Sequence, residues 1–414
     1  MTVEPGQTGW SRWAPTVQGV FSLALVAATW PLWWGGDGGA EAFPAIPWMR
    51  ILVPVPIVVD RMLILSFLAA SVGLLPPQNR IRFKGAVLGT YVLSLAALLL
   101  LDQHRCQPWA WLFLLQGIAL WGFDDDTSQR WTRRLIVSLY AWSAVSKFDV
   151  TFVSERGPWL LTGLLDGLGV DAALIAKERL ARLAWFLPIG ELATAAALTF
   201  RGTRSPGLVL AALMHLALLV ALGPWGHDHH AGVLLWNAFF LVQNPLLFWP
   251  RPAASSPPEA PRARSLGGPA FARGVFMLAI AAPALEPWGW YDHWPAWAVY
   301  SDRPEIVRGW VPESAISQLA PELRSAPEPL SDSCEIRLDS WSFSTRRCPV
   351  YPQGRYRLAL LRALLHGVVP TPEVRVVIES PPDRRTGKRE TAKLQGLEQL
   401  DRACDRFWIN TRAR

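Results

Sequence analysis

Four cysteines in 414 residues, with no CxxC pair among them, leave no basis for a thioredoxin-like redox centre or a zinc ribbon. Charge is scarce as well. Asp, Glu, Lys and Arg make up 18% of the chain, against roughly 25% in ordinary soluble domains. No internal repeat is evident, which argues against a transporter assembled from inverted halves. What the chain has in quantity is apolar and aromatic: 51% hydrophobic residues and 23 tryptophans, more than a soluble core requires. The composition is that of an integral membrane protein.

A bilayer core of about 30 Å is crossed by about 20 apolar residues in a helix. Nine stretches approach that length: 14–34, 51–75, 86–101, 108–123, 135–153, 183–200, 206–223, 231–249 and 270–286. The third and fourth are short, with only the turn DQHRCQP between them. Ala40-Glu41-Ala42 resembles a signal-peptide cleavage site, but the apolar run from Pro15 to Trp34 is too long for a signal core and is expected to remain as a span. The expected architecture is an α-helical polytopic membrane bundle of about nine spans with a small extramembrane α+β domain at the C-terminus.

Lys and Arg accumulate on the cytoplasmic side of membrane proteins. With the N-terminus inside, the inner loops hold Arg80, Arg82 and Lys84, then Arg130, Arg133 and Arg134, then Arg201 and Arg204, then Arg251, Arg262 and Arg264. The short outer loops carry far less: Arg50 in one and Arg105 in another. This predicts a multi-pass cell-membrane protein, N-terminus cytoplasmic and C-terminal domain extracytoplasmic. The net charge of +7 is mostly accounted for by these loops, and nothing separate points to nucleic acid. Trp30, Trp33, Trp34, Trp109, Trp225, Trp288 and Trp290 fall near outer boundaries, where an aromatic belt is expected.

Residues 1–286 read as the membrane domain, including a Pro-, Ser- and Ala-rich cytoplasmic linker at 250–269, and residues 287–414 as the external domain. In the latter, CEIRLDSWSFS (334–344) and EVRVVIES (373–380) alternate like strands. RYRLALLRALLH (355–366) and RETAKLQGLEQLDRACDRFW (389–408) have helical spacing. Cys334 and Cys348 are placed either to pair in an oxidising compartment or to stay as thiols.

A charged side chain at membrane depth costs roughly 2.5 to 3.5 kcal/mol on insertion scales, so it marks a pathway or a reactive site. Lys147 lies in the apolar segment LIVSLYAWSAVSKFDVTFV (135–153). Either it serves as a base, since desolvation disfavours the charged form of a lysine, or it snorkels outward or pairs with Asp149 or Glu191 to hold helices together. Asp102 and His104 at the outer end of the third span, and His215 and Glu191 deeper in the bundle, are expected to line an outward-opening cavity with it. Asp60 and Arg61, mid-span in the second stretch, are expected to neutralise each other or neighbouring helices. The run His227-Asp228-His229-His230 contains metal-binding side chains, but adjacent histidines diverge on a regular element and no metal site is assigned.

The stretch RRLIVSLYAWSAVSKFDVTFV resembles the helix of vitamin K-dependent gamma-carboxylases and their bacterial relatives, the HTTM membrane proteins. There a Tyr-rich apolar helix ends in a Gly- or Ala-x-x-Lys-aromatic/Leu-Asp element, matched here by Ala144-Val145-Ser146-Lys147-Phe148-Asp149. LLLLDQHRCQPWAWLFLLQGIALWGFDDD before it, and GELATAAALTFRGTRSPGLVLAALMHLALLVALG and QNPLLFWP after it, are similar to the same family in the same order. Together they cover roughly residues 50–250. The resemblance implies that Lys147 is the base that deprotonates a reduced quinone such as menaquinol or a vitamin K-like molecule, and that His215 matches a family histidine. Two departures weaken the implication of glutamate carboxylation: the tail is far shorter than the family's substrate domain, and Ser146 stands where the carboxylases carry a second lysine. The expected function is a quinone- or lipid-cofactor-binding membrane protein with Lys147 and His215 catalytic and Asp149, Glu191, Asp102 and His104 near the cofactor. The alternative is a non-enzymatic, DoxX-like membrane partner of a redox or export system, whose tail engages an exported protein.

Overall fold

The computed structural model describes residues 9–34, 43–81, 83–249, 269–327, 332–366 and 373–414. Ala40-Glu41-Ala42 and nearly all of the 250–269 linker lie outside them. The chain divides into two compact units. One takes residues up to 25, 66–94 and 108–301, the other 26–65, 95–107 and 302–414.

The helices follow in chain order: α1 (Gly9–Ala28), α2 (Trp30–Trp34), α3 (Ile57–Gly73), α4 (Lys84–Leu101), α5 (Pro108–Gly122), α6 (Asp125–Lys147), α7 (Gly157–Gly167), α8 (Lys177–Ala184), α9 (Phe186–Thr199), α10 (Arg204–Leu222), α11 (Ala231–Phe248) and α12 (Pro269–Ala281). Where nine spans are expected, five helical stretches among the described residues are long and apolar enough to cross a membrane: Lys84–Leu101, Lys177–Thr199, Arg201–Leu222, Ala231–Phe248 and Pro269–Trp288. A sixth is counted if α6 and Phe152–Gly167, bent by 90° at their junction, form one span. The shortfall has a simple origin in part. Helix α5 has 15 residues and so is about 22 Å long, less than the hydrocarbon thickness.

In the first unit α6 packs on α9, α10 packs on α7, α9 and α11, and α12 packs on α5 and α6. Small residues permit the close approach: Thr194 and Ala195 are buried on α9, and Gly207 sits against the backbone of Ala197 and Leu198. Buried amides and hydroxyls stitch the bundle, with Gln116 donating to Gln243 at 2.9 Å and Ser22 bonded to Tyr91 at 2.7 Å.

The second unit contains an antiparallel sheet in the order β2-β1-β3-β4, where β1 is Ile306–Pro312, β2 Ser333–Glu335, β3 Arg375–Glu379 and β4 Thr391–Gln395. The α+β character of the tail is therefore present. Helices α13 (Glu313–Ile316), α14 (Leu338–Arg346), α15 (Gly354–Leu365) and α16 (Gly396–Asp405) accompany it. A Cβ on Gly309 would lie 2.7 Å from Leu361, so this glycine lets α15 settle on β1.

Two strand and helix expectations are corrected. Only the first residues of 334–344 form a strand, and the rest is α14, because Leu338, Trp341 and Ser342 recur at helical spacing on one buried side. The 389–408 stretch is split into β4 and α16 at Gly396, whose φ of +76° suits glycine and turns the chain. All four cysteines are buried thiols outside any disulfide, and Cys348 lies 3.5 Å from His104 rather than bonded to Cys334. The aromatic belt also needs revision: Trp225, Trp288 and Trp290 are exposed, whereas Trp33 and Trp109 are core residues.

Asp60 and Arg61 do not neutralise each other, since neighbours on a helix point about 100° apart. Arg61 lies over the Trp34 ring, and Asp60 takes a bidentate pair from Arg105 at 2.6 and 2.7 Å. Arg414 reaches the same carboxylate at 3.0 Å. Arg105 also donates to the carbonyls of Leu32 and Trp33, so its planar donor fork is used on several sides.

Candidate functional site

Helix α6 starts under an Asp124 cap, whose side chain accepts from the Thr127 amide. It carries Tyr140, Ser143, Ala144 and Lys147 at i, i+3, i+4 and i+7, one buried side of the helix. Lys147 ends the helix with its side chain 5% exposed. Its Nζ donates to Glu191 Oε1 and Oε2 at 2.8 and 2.9 Å and to Ser143 Oγ at 2.6 Å. Of the two carboxylates within reach in sequence, Glu191 of α9 is the partner.

Asp149 has a different task. Its Oδ1 accepts from the Thr151 amide at 2.8 Å, which caps the turn where the chain bends by 90° into the π-helical segment Phe152–Arg156 and then α7. Pro158 at the start of α7 and Gly157, where a Cβ would lie 2.6 Å from that of Ala184, fix the entry of this helix against α8.

Below α7 is a cavity of about 190 Å³. Leu160, Leu161 and Leu164 of α7, Leu187 of α9 and Met214 and Leu218 of α10 are among its apolar wall residues, and Lys147 and Glu191 supply its charged groups. Its lining includes the exposed side chains of Phe186 and Leu210. An apolar chamber with one convergent polar pair is the usual form of a small-molecule site.

His215 is not part of that wall. Its Nδ1 donates to Asn237 Oδ1 at 2.9 Å, which leaves Nε2 to accept from the Tyr140 hydroxyl at 2.8 Å, and Asn244 donates to the same hydroxyl at 2.7 Å. Both ring nitrogens are therefore engaged inside the bundle. Sequence reading passed over Tyr140, Ser143, Asn237 and Asn244. The signal for the first two was their helical spacing from Lys147, whereas the asparagines gain meaning only from the packing of α11.

Asp102 and His104 belong to the other unit, where their partners also lie. Asp102 accepts from the His104 amide at 3.0 Å, and His104 Nε2 donates to the Pro349 carbonyl at 2.9 Å. Burial lowers the His104 pKa from 6.5 to about 4, against the opposing pull of Asp102. Folded His104 thus binds its proton less readily than unfolded His104, so its contribution to stability is complete above about pH 6.5 and is lost as pH falls to about 4. Over that window the loss is about 3 kcal/mol. Melting midpoints recorded from pH 7 to pH 4 are expected to fall, and to fall less in His104→Gln; parallel profiles would remove His104 as the cause.

Among the described residues no group of three or more His, Cys, Asp or Glu side chains gathers to hold a metal. Compared with known proteins, the chain matches no family model, no curated protein and no solved structure.

Proposed function

We propose that the α7, α9 and α10 cavity takes the ring of a lipid-soluble quinol, with Lys147 as the proton acceptor. The observation that carries this reading is the Lys147–Glu191 ion pair set in a mostly apolar wall. A dry cavity of about 150 Å³ accommodates a benzene ring, so about 190 Å³ suits a small ring system and not a long isoprenoid tail. The tail leaves past Phe186 and Leu210 into lipid. The ring hydroxyl hydrogen-bonds at Lys147 in the place of solvent. Lys147 passes one proton to the Glu191 carboxylate and takes one from the hydroxyl, so the pair gains a single proton and its resulting positive charge is balanced by the quinolate anion left beside it. Tyr140 and His215 hold α6, α10 and α11 in register behind it.

The nine-span topology, with the N-terminus cytoplasmic and the tail outside, is the arrangement in which Lys147 lies toward the outer leaflet. Reporter fusions at Arg82 and after Arg414 are expected on opposite sides, and the same side for both would exclude it. The test of the function is extraction of the purified protein for bound quinone or quinol, followed by menaquinol titration into nanodiscs. Stoichiometric quinone supports the site. Its consistent absence, with no saturable menaquinol binding, favours the second reading, a non-enzymatic partner of an exported protein. The saturated ion pair at Lys147 is the observation consistent with that role, because it also clamps α6 to α9.

A further inference from the structure

Trp408, at 93%, is the most exposed large apolar side chain among the described residues. It follows α16 in the segment Arg406-Phe407-Trp408-Ile409-Asn410, where Phe407 is also exposed while Ile409 and Asn410 are buried. The segment is anchored, yet two aromatic rings are left outside. Asn410 fixes its course. The Asn410 amide donates to the Trp48 carbonyl at 3.2 Å and its side chain to the Pro47 carbonyl at 3.0 Å, and Gln103 donates to the carbonyls of both Asn410 and Pro47, at 2.8 and 3.1 Å. Trp48 in turn donates its amide to the Leu100 carbonyl at 3.0 Å. All of these residues belong to the second unit.

Leu100 is the informative partner. It lies in the last turn of α4, one of the helical stretches long and apolar enough to cross a membrane, and its own side chain is exposed. A relay of two backbone hydrogen bonds thus ties Asn410 to the end of that stretch, and two residues of chain reach at most about 7 Å further, to Trp408. The 48–52 segment carries the same surface on. Met49 and Ile51 are exposed, Ile51 at 78%, and α3 then shows Val58, Met62 and Leu65 at i, i+4 and i+7 on its exposed side while Asp60 and Ile64 are buried. Arg50 and Arg406, each adjacent in sequence to these apolar side chains, are exposed as well. Trp48 is held from the tail by Tyr351 at 6.2 Å and by the Arg355 guanidinium 5.3 Å from its ring.

We propose that Phe407 and Trp408, together with Met49 and Ile51, dock on the lipid bilayer and hold the C-terminal domain to the membrane surface. The occupant follows from position: where a helix that crosses the bilayer ends, the headgroup layer begins, and the patch starts at the end of α4. Its chemistry suits that layer. An indole has an apolar body and one polar N–H, which places it between headgroups and acyl chains, and the guanidinium groups of Arg50 and Arg406 complement lipid phosphates. The exposed stripe of α3 continues the patch into the hydrocarbon. The anchor is independent of the quinol site, since none of its residues lines that cavity.

The test is nitroxide accessibility in the full chain, reconstituted in phosphatidylcholine nanodiscs. The four native cysteines are buried, so the unsubstituted protein serves as the labelling blank, and Trp408→Cys and Ile51→Cys each carry one spin label. Collisions with oxygen, which concentrates in lipid, and with a water-soluble nickel chelate, which lipid excludes, are measured by power saturation. At 408 the label is expected to lose most of its nickel collisions and keep those with oxygen, so that the oxygen-to-nickel ratio rises severalfold over that of a nitroxide free in buffer. The same rise at 51 extends the anchor to the 49–51 turn, and a rise at 408 alone supports an anchor made by Phe407 and Trp408. A ratio at 408 equal to that in buffer overturns the proposal and leaves the segment in water. Loss of both kinds of collision at 408 also overturns it, in favour of a protein partner such as a second copy of this chain. Should Trp408→Cys fail to fold, a label at Phe407→Cys is read in the same way.

Discussion

Asp60→Ala is expected to lower stability by about 3 to 5 kcal/mol, the range found when one member of a buried ion pair is removed and the other stays behind. Asp60 is 1% exposed and holds two guanidinium groups, those of Arg105 and Arg414. Taking away the carboxylate leaves Arg105 buried and donating to the Leu32 and Trp33 carbonyls, and neutral acceptors compensate a buried cation poorly. The double variant Asp60→Leu, Arg105→Met is expected to regain part of the loss, since an apolar pair of similar volume carries no desolvation penalty, and Arg414 limits the recovery. Thermal unfolding in detergent measures both. A double variant no more stable than Asp60→Ala would mean that lost packing, and not a stranded charge, is the cause.

Lys147→Met is expected to reduce bound quinol at least tenfold and to lower the melting midpoint, because Glu191 then keeps a carboxylate in an apolar wall. The stability loss is about 3 kcal/mol, at the low end of the buried-pair range because Glu191 retains 13% exposure. Adding Glu191→Leu removes that stranded charge, so Lys147→Met, Glu191→Leu is expected to recover the midpoint and not the quinol. Separating the two readouts distinguishes a base from a helix clamp. Quinol retained at the wild-type level by the stable double variant would reduce Lys147 to a structural residue.

The apolar composition was legible from residue types alone, because a helix long enough to cross a bilayer requires an uninterrupted stretch of apolar side chains and little else. So was the change of character in the tail, where EVRVVIES and RYRLALLRALLH became β3 and α15 as their periods require. The stretch 389–408 was not, since helical spacing and strand alternation coexist across Gly396 and only the pairing of β4 with β3 selects between them. Likewise Trp33 and Trp225 are the same residue type near the same expected boundary, yet one is core and the other exposed.

The same division holds at the site. Sequence by itself determined that Lys147 needs a partner, because an uncompensated ammonium in an apolar segment is too costly to leave exposed to lipid. It also limited the carboxylates in reach to Asp149 and Glu191. Tertiary structure alone decided between them, through a bend after α6 that turns Asp149 to the Thr151 amide and the packing of α9 on α6 that brings Glu191 to Nζ. Asp60 shows the same rule at longer range: its own helix forces it away from Arg61, and which distant cation meets it, Arg105 at 45 residues' separation, is settled by folding and not by spacing. Helical period is a local property that a sequence carries in full, whereas the partner of a buried charge is set by which elements pack together.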